Sequence, residues 1–201
     1  MYDWRKMTKE EREQILKERK LVGRPWHNPP HLKGDSDFYF ISAACYEHKH
    51  IIGKSAQRME SFCANLLAAF DDLKARISAW CVLSNHYHVL AKITPFDGFS
   101  ERLGEFHGRT SRSWNKEDNV EGRKIWHNSM DRSIRNDRHY YVTLNYIHHN
   151  PVHHRYVKKW QDWPFSSVNS FLDKFGKREA MMLWNEYPLL DYGKGWDDPE
   201  M

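Results

Sequence analysis

Cysteine, glycine and proline are sparse in this chain, and long apolar runs are missing. The three cysteines, Cys45, Cys63 and Cys81, are odd in number, far apart and set in apolar segments, with no Cys-x-x-Cys pair. That pattern excludes a disulfide framework and a thiolate metal site, and fits buried thiols kept reduced in a cytosol. Ten glycines and eight prolines, with no period, exclude collagen-like and low-complexity chains. No run approaches the ~20 apolar residues of a membrane span, and Met1-Tyr2-Asp3-Trp4-Arg5-Lys6 leads into charge rather than a signal core. The expectation is a soluble, cytoplasmic protein with no membrane partner. Neither sign of charge dominates: 31 Lys and Arg face 27 Asp and Glu, a net +4 that leans only slightly toward polyanions.

What is present is aromatic and histidine-rich. Aromatic residues make up 14% of 201 positions and hydrophobic ones 40%, enough for one packed domain with extensions. Thr8-Lys9-Glu10-Glu11 has capping-box spacing and opens a charged helix to about Lys20, followed by a Pro-rich linker. Residues 1–35 therefore read as an appendage to the packed domain. Phe38 to Tyr46 reads as a buried strand, and Ser55 to Arg76 as an amphipathic helix with Met59, Phe62, Cys63, Leu66, Leu67 and Phe70 on one face. Ile77 to Leu83 and Tyr87 to Ile93 are strands joined too tightly for anything but a hairpin or a kinked continuation. Ser100 to Asn115 reads as helix and Arg123 to Ile134 as strand. The order β-α-β-β-α-β predicts an α+β, ferredoxin-like antiparallel sheet with helices on one face. An extra helix follows from about Asp137 to His149, capped by Asn136 or Asp137 and stopped by Pro151. Beyond Trp160 no period stands out.

The most pointed motif is His86-Tyr87-His88. Alternate residues of a strand share a face, so these two imidazoles project side by side, as metal ligands do. On the extra helix, Tyr146 and Asn150 are one turn apart, and His149 lies on nearly the same face. If that face covers the strand, two imidazoles and one helix side chain can hold a cation beside the Tyr146 phenol. A phenol, with a reference pKa of about 10, is a poor nucleophile unless its electrophile is activated. A divalent cation on a phosphodiester oxygen does that, and the product is a phosphotyrosine linkage able to rejoin another end. Arg109, Arg112 and Lys116 follow i, i+3, i+7 on one helix, and Arg135 and Arg138 extend the basic bias, as phosphate contacts would. Glutamates are interleaved among them, so the set carries the reading rather than any one member.

Ser-Asn-His-Tyr-His-Val-Leu at 84–90 and Asn-Tyr-Ile-His-His-Asn-Pro-Val at 145–152 resemble the single-tyrosine transposases of the IS200-like type. Within that family the chain looks most like the REP-associated members. Lys124-Ile125-Trp126-His127-Asn128 and Asp162-Trp163-Pro164-Phe165-Ser166-Ser167 extend the match across roughly residues 36–168, which the resemblance makes the catalytic domain, with 169–201 a C-terminal extension. The resemblance implies a ferredoxin-like fold and metal-dependent cleavage and joining of single-stranded DNA at repetitive palindromic hairpins, through a 5′-phosphotyrosine. It implies His86 and His88 as metal ligands, Tyr146 as nucleophile and Asn150 as a helix-borne ligand, with His149 a rival for that place. Tyr87 stands where the family usually has a bulky apolar residue. Magnesium prefers oxygen ligands and manganese accepts imidazole more readily, so either is the expected cofactor. The implied assembly is a monomer or homodimer.

Two other functions compete. His86, His88 and His149 could form a three-histidine zinc site for a hydrolase, although Leu90 stands where metallo-β-lactamase-type hydrolases carry an Asp. A noncatalytic nucleic-acid-binding module shares the β-α-β-β-α-β order but leaves the histidine pair without a role.

Overall fold

The computed structural model describes residues 8–11, 13, 14, 17 and 37–196. The chain divides into two compact units, Met1–Leu32 and Lys33–Met201. In the first, the capping box is formed: the Glu11 N–H donates to Thr8 Oγ1 at 3.2 Å, and the Thr8 N–H to Glu11 Oε2 at 2.7 Å. The Pro-rich linker lies outside the described residues.

In the second unit β1 is Phe38–Ala44, β2 Arg76–Val82, β3 His86–Lys92 and β4 Met130–Ser133. The sheet order is β2-β3-β1-β4, every neighbouring pair antiparallel. This is the split β-α-β arrangement expected from the element order. Helices α1 (Ala56–Asp72) and α2 (Phe99–Glu117) cover one face, and α3 (Asp137–His153) lies against the other.

Strand alternation decides what each face receives. Tyr39, Ile41 and Ala43 of β1 and Tyr87, Val89 and Ala91 of β3 join a core closed by α1 and α2. Phe62 is its centre, with the rings of Tyr87, Phe106, Trp114 and Trp126 all within 5.8 Å. The buried Tyr87 hydroxyl is hydrogen-bonded with His107 Nε2 at 2.9 Å, which explains how a phenol occupies a core position. Burial holds His107 neutral, its pKa pushed down to about 3. The cysteines are free and buried, and burial pushes Cys45 up to about 12.

Asp118, just past α2, ties this layer together. It accepts from Lys54 at 2.6 Å, Arg123 at 2.6 Å and both terminal nitrogens of the buried Arg58. Hydrogen bonds from Arg58, then Lys54 and Arg123, hold its carboxyl well below the usual carboxylate range.

Three expectations change in detail. The last strand is four residues rather than Arg123 to Ile134; upstream only the isolated bridge Cys45–Trp126 forms, because Ile125 and Trp126 turn into the core. Helix α3 continues through Pro151 to His153. Proline here removes one N–H in the last turn, and bonds from His154 N–H to Asn150 O and Tyr156 N–H to Pro151 O close the end. The tail forms two short helices, α4 (Val168–Phe175) and α5 (Lys177–Glu186), whose Phe171 and Ala180 join the α3-side core. Before them, Val82 N–H donates to Phe165 O and Ser167 N–H to Trp80 O, so residues 165–167 shield the edge of β2. No described helix is long and apolar enough to cross a membrane.

Candidate active site

The α3 side of the sheet carries a buried pair of strand histidines. His86 and His88 are each 1% exposed, and their rings lie 4.9 Å apart on β3. The tight β2–β3 connection, closed by Leu83 N–H to His86 O at 2.8 Å, starts the strand at the first histidine. Gly53 holds that connection from outside. Its N–H donates to Ser84 O, and a Cβ at Gly53 would stand 2.4 Å from Ser84 Cβ, so only glycine allows the approach.

Helix α3 is capped by Asn136, whose side chain accepts from His139 N–H. One face of it delivers Tyr146 and Asn150 onto the histidines. The Tyr146 and His88 rings are 5.3 Å apart, and Asn150 Oδ1 lies 3.0 Å from His86 Nε2. Residues far apart in sequence thus converge: His86, His88, Tyr146 and Asn150 are brought together. His149 is not part of the group; it lines a cavity with Trp160 and Trp184. Among the described residues no three His, Cys, Asp or Glu side chains cluster as a metal site, so the three-histidine zinc centre does not form.

The donor set nevertheless fits a divalent cation. Asn85 Nδ2 donates to His48 O at 3.1 Å, which leaves Asn85 Oδ1 to accept from His86 Nδ1 at 2.7 Å. In a neutral imidazole the proton is then on Nδ1, and the Nε2 lone pair faces the Asn150 oxygen. With its amide oxygen toward His86, Asn150 and the imidazole present two donor atoms 3.0 Å apart to a shared cation. About 3 Å is also the spacing of adjacent donors around an octahedral ion with ~2.1 Å bonds. The outer bond to Asn85 is the usual way a ligating histidine is oriented.

Tyr146 is covered. It is only 4% exposed, and its ring contacts Tyr192 and Trp196 at centroid distances of 5.7 and 5.8 Å. A Cβ on Gly193 would stand 2.3 Å from Tyr146 Cε2, so the backbone at Gly193 lies directly against the phenol ring. Arg132 stacks on Trp196 at 4.1 Å and Tyr192 bonds Thr143, fastening this cover to β4 and α3. Sequence reading missed the cover; Gly193 and Gly195 between aromatics were its only trace.

The basic residues divide between the two sides. Arg109, Arg112 and Lys116 are exposed on α2, across the sheet from Tyr146, and Arg109 borders a groove between α1 and α2. Arg135 and Arg138 are exposed at the start of α3, on the Tyr146 side.

Residues 35–150 match the family model described as Transposase IS200 like. A REP-associated tyrosine transposase of Escherichia coli (strain K12) is 33% identical over 99 residues, 49% of this chain and 57% of that protein. The chain thus spans little more than half the length of this curated relative. A solved structure of a REP-associated tyrosine transposase bound to a REP hairpin superposes with a TM-score of 0.57 at 23% identity, over 71% of this chain and 83% of that one. At that identity the likeness is one of fold.

Proposed function

Because the chain belongs to the IS200-like transposase family, we propose that it is a metal-dependent single-stranded DNA endonuclease and strand transferase acting on repetitive palindromic hairpins. The observation that carries this reading is the convergence of Tyr146, His88, His86 and Asn150 on one spot. Tyr146 is the nucleophile. Its phenolic oxygen forms a bond to phosphorus as the bond to the 3′ oxygen breaks; the phenol gives up its proton and the departing 3′ oxygen gains one. The 5′-phosphotyrosine keeps the energy of the broken bond, so a 3′-hydroxyl from another end can reverse the step. His86, His88 and Asn150 would hold magnesium or manganese, which polarises the phosphodiester and stabilises charge on the leaving oxygen. Asn85 fixes the His86 tautomer so that Nε2 is the ligating atom. Arg135 and Arg138 contact phosphates near the scissile bond, while Arg109, Arg112 and Lys116 contact a more distant part of the hairpin.

The test is incubation with labelled hairpin DNA and manganese, followed by denaturing electrophoresis. A covalent band is expected in the wild type and absent in Tyr146→Phe and His86→Ala. Cleavage that persists in Tyr146→Phe without an adduct would make water the nucleophile and overturn the proposal.

A further inference from the structure

We propose that Tyr156, backed by Ser84 and His50, gives a proton to the 3′ oxygen that leaves the scissile phosphate and takes it back when strands rejoin. The assignment rests on the DNA chemistry proposed above. Ser84 Oγ is hydrogen-bonded to both His50 Nδ1 and the Tyr156 hydroxyl, and that hydroxyl lies 3.4 Å from the same imidazole nitrogen. Residues far apart in sequence thus join two hydroxyls and an imidazole in one set.

The set is held from behind and open in front. Ser84, 8% exposed, occupies the β2–β3 turn and backs onto Gly53. The Tyr156 ring packs on Trp163 at 5.0 Å, and the Trp163 indole donates to Val82 O at 2.9 Å. Tyr156 is half-buried and His50 exposed, so the hydrogen-bonded groups run from the interior to solvent.

Its place in the site follows from two facing rows that run in opposite senses. Tyr146 stands beside His88, Asn150 beside His86 and, past the end of α3, Tyr156 beside Ser84. Four residues of helix and two of strand both advance about 6–7 Å, so the rows keep in step. The order is nucleophile, candidate cation site, then the hydroxyl–imidazole set. In-line displacement puts the entering and leaving oxygens on opposite sides of phosphorus. With Tyr146 at one end and the phosphate over the middle, the leaving oxygen faces the other end. That end suits a departing strand: Arg155, Lys158 and Lys159, next to Tyr156 in the chain, are exposed, whereas Gly193 covers Tyr146.

An alkoxide leaves poorly unless it is protonated as the bond breaks. As P–O3′ opens, O3′ takes the Tyr156 hydroxyl proton, the phenol oxygen takes one from Ser84, and Ser84 takes one from the His50 imidazolium. His50 regains its proton from water, as an imidazole does near neutral pH. When a 3′-hydroxyl attacks the phosphotyrosine, the proton travels back the same way. Tyr156 touches the reacting oxygen; Ser84 and His50 act through it.

The test uses two hairpin substrates, identical except that the atom bridging the scissile phosphorus to C3′ is oxygen in one and sulfur in the other. A thiolate departs without a proton, so the sulfur substrate bypasses the acid. Adduct formation with manganese is timed under single turnover for full-length wild type, Tyr156→Phe and His50→Gln. On oxygen, Tyr156→Phe should be slower than wild type by about 100-fold and His50→Gln by about tenfold. On sulfur, both should stay within about threefold of wild type. The ratio of the two rates within one preparation is independent of how much of it is folded. Equal slowing on both substrates makes the set a structural fastening and overturns the assignment, as does an undiminished rate on oxygen. A wild type that forms no adduct with either substrate sinks the transesterification itself, and the assignment with it.

Discussion

The two faces of one sheet, built from the same strands, do opposite work. On the α1/α2 side Tyr39, Ile41, Tyr87 and Val89 enter a mainly aromatic and aliphatic core in which the Tyr87 hydroxyl is paired with His107. On the α3 side the alternate residues of those strands include Ser42, His86 and His88, buried beside Tyr146 and Asn150. A period of two lets a strand such as β3 put hydrocarbon and a candidate cation site one residue apart. The α1/α2 side buries an aromatic cluster and closes with the Arg58–Asp118 ion pair, whereas the α3 side buries the paired imidazoles.

The sharpest way to break this division is to remove the centre of the first face. Phe62→Ala deletes the ring around which four aromatics pack and should lower unfolding free energy by about 3–5 kcal/mol in chemical denaturation. Adduct formation per folded molecule should stay at the wild-type level. A loss of activity exceeding the loss of folded protein would show that the faces are coupled.

A smaller loss is expected from the ionic tie on the same side. Asp118→Asn leaves the buried Arg58 only the exposed Glu117 carboxylate, 3.0 Å away, as an anion and should cost about 2–4 kcal/mol at neutral pH. The folded carboxyl is depressed, so its contribution is full above the unfolded value of about 4 and is lost as pH falls through the folded one. The wild-type advantage over Asp118→Asn should therefore shrink in acid-range urea melts below about pH 4. A constant difference down to low pH would mean that the charge of Asp118 is not what stabilises.

How far these faces were legible from sequence differs in the same way. The strands, α1, α2 and the histidine pair follow from local periodicity, because alternation and helical spacing are written within a few residues. The meeting of Tyr146 with His88 was an inference from two separate motifs, and a continuous helix from Tyr146 through Asn150 made it geometrically available. Asn85 gave no sign of its role, since an amide joining His48 O to His86 Nδ1 depends on a loop that folds back from 37 residues earlier in the chain. The two tail helices were illegible because eight and ten residues hold too few turns to establish a period.

On the α3 side, Asn85→Leu sharpens the comparison by removing the group that orients His86 while keeping bulk. Manganese affinity, followed by electron paramagnetic resonance, should fall about 10–100-fold. The ¹⁵N shifts of His86 should move toward a mixture of tautomers, which a purely structural substitution elsewhere in the loop would not produce. Unchanged shifts would remove Asn85 from the positioning of the imidazole.

The smallest effect concerns the cover on Tyr146. With the phenol 4% exposed, a scissile phosphate reaches it only after residues 192–196 move aside. Among its fastenings are the Arg132–Trp196 stack, worth about 0.5–2 kcal/mol by its type, the packing of Trp196 on Phe40 and the Tyr192–Thr143 hydrogen bond. Such a contact biases an equilibrium without locking it, so Trp196→Ala should raise the uncovered fraction about 2–30-fold. If uncovering precedes attack, the initial rate of adduct formation rises by the same factor until the cover is mostly open, and amide exchange over residues 187–196 quickens in parallel. The α1/α2 face should report nothing, its exchange protection unchanged. Faster exchange with an unchanged rate would place the cover off the reaction path and leave the difference between the faces to the histidines and Asn150 alone.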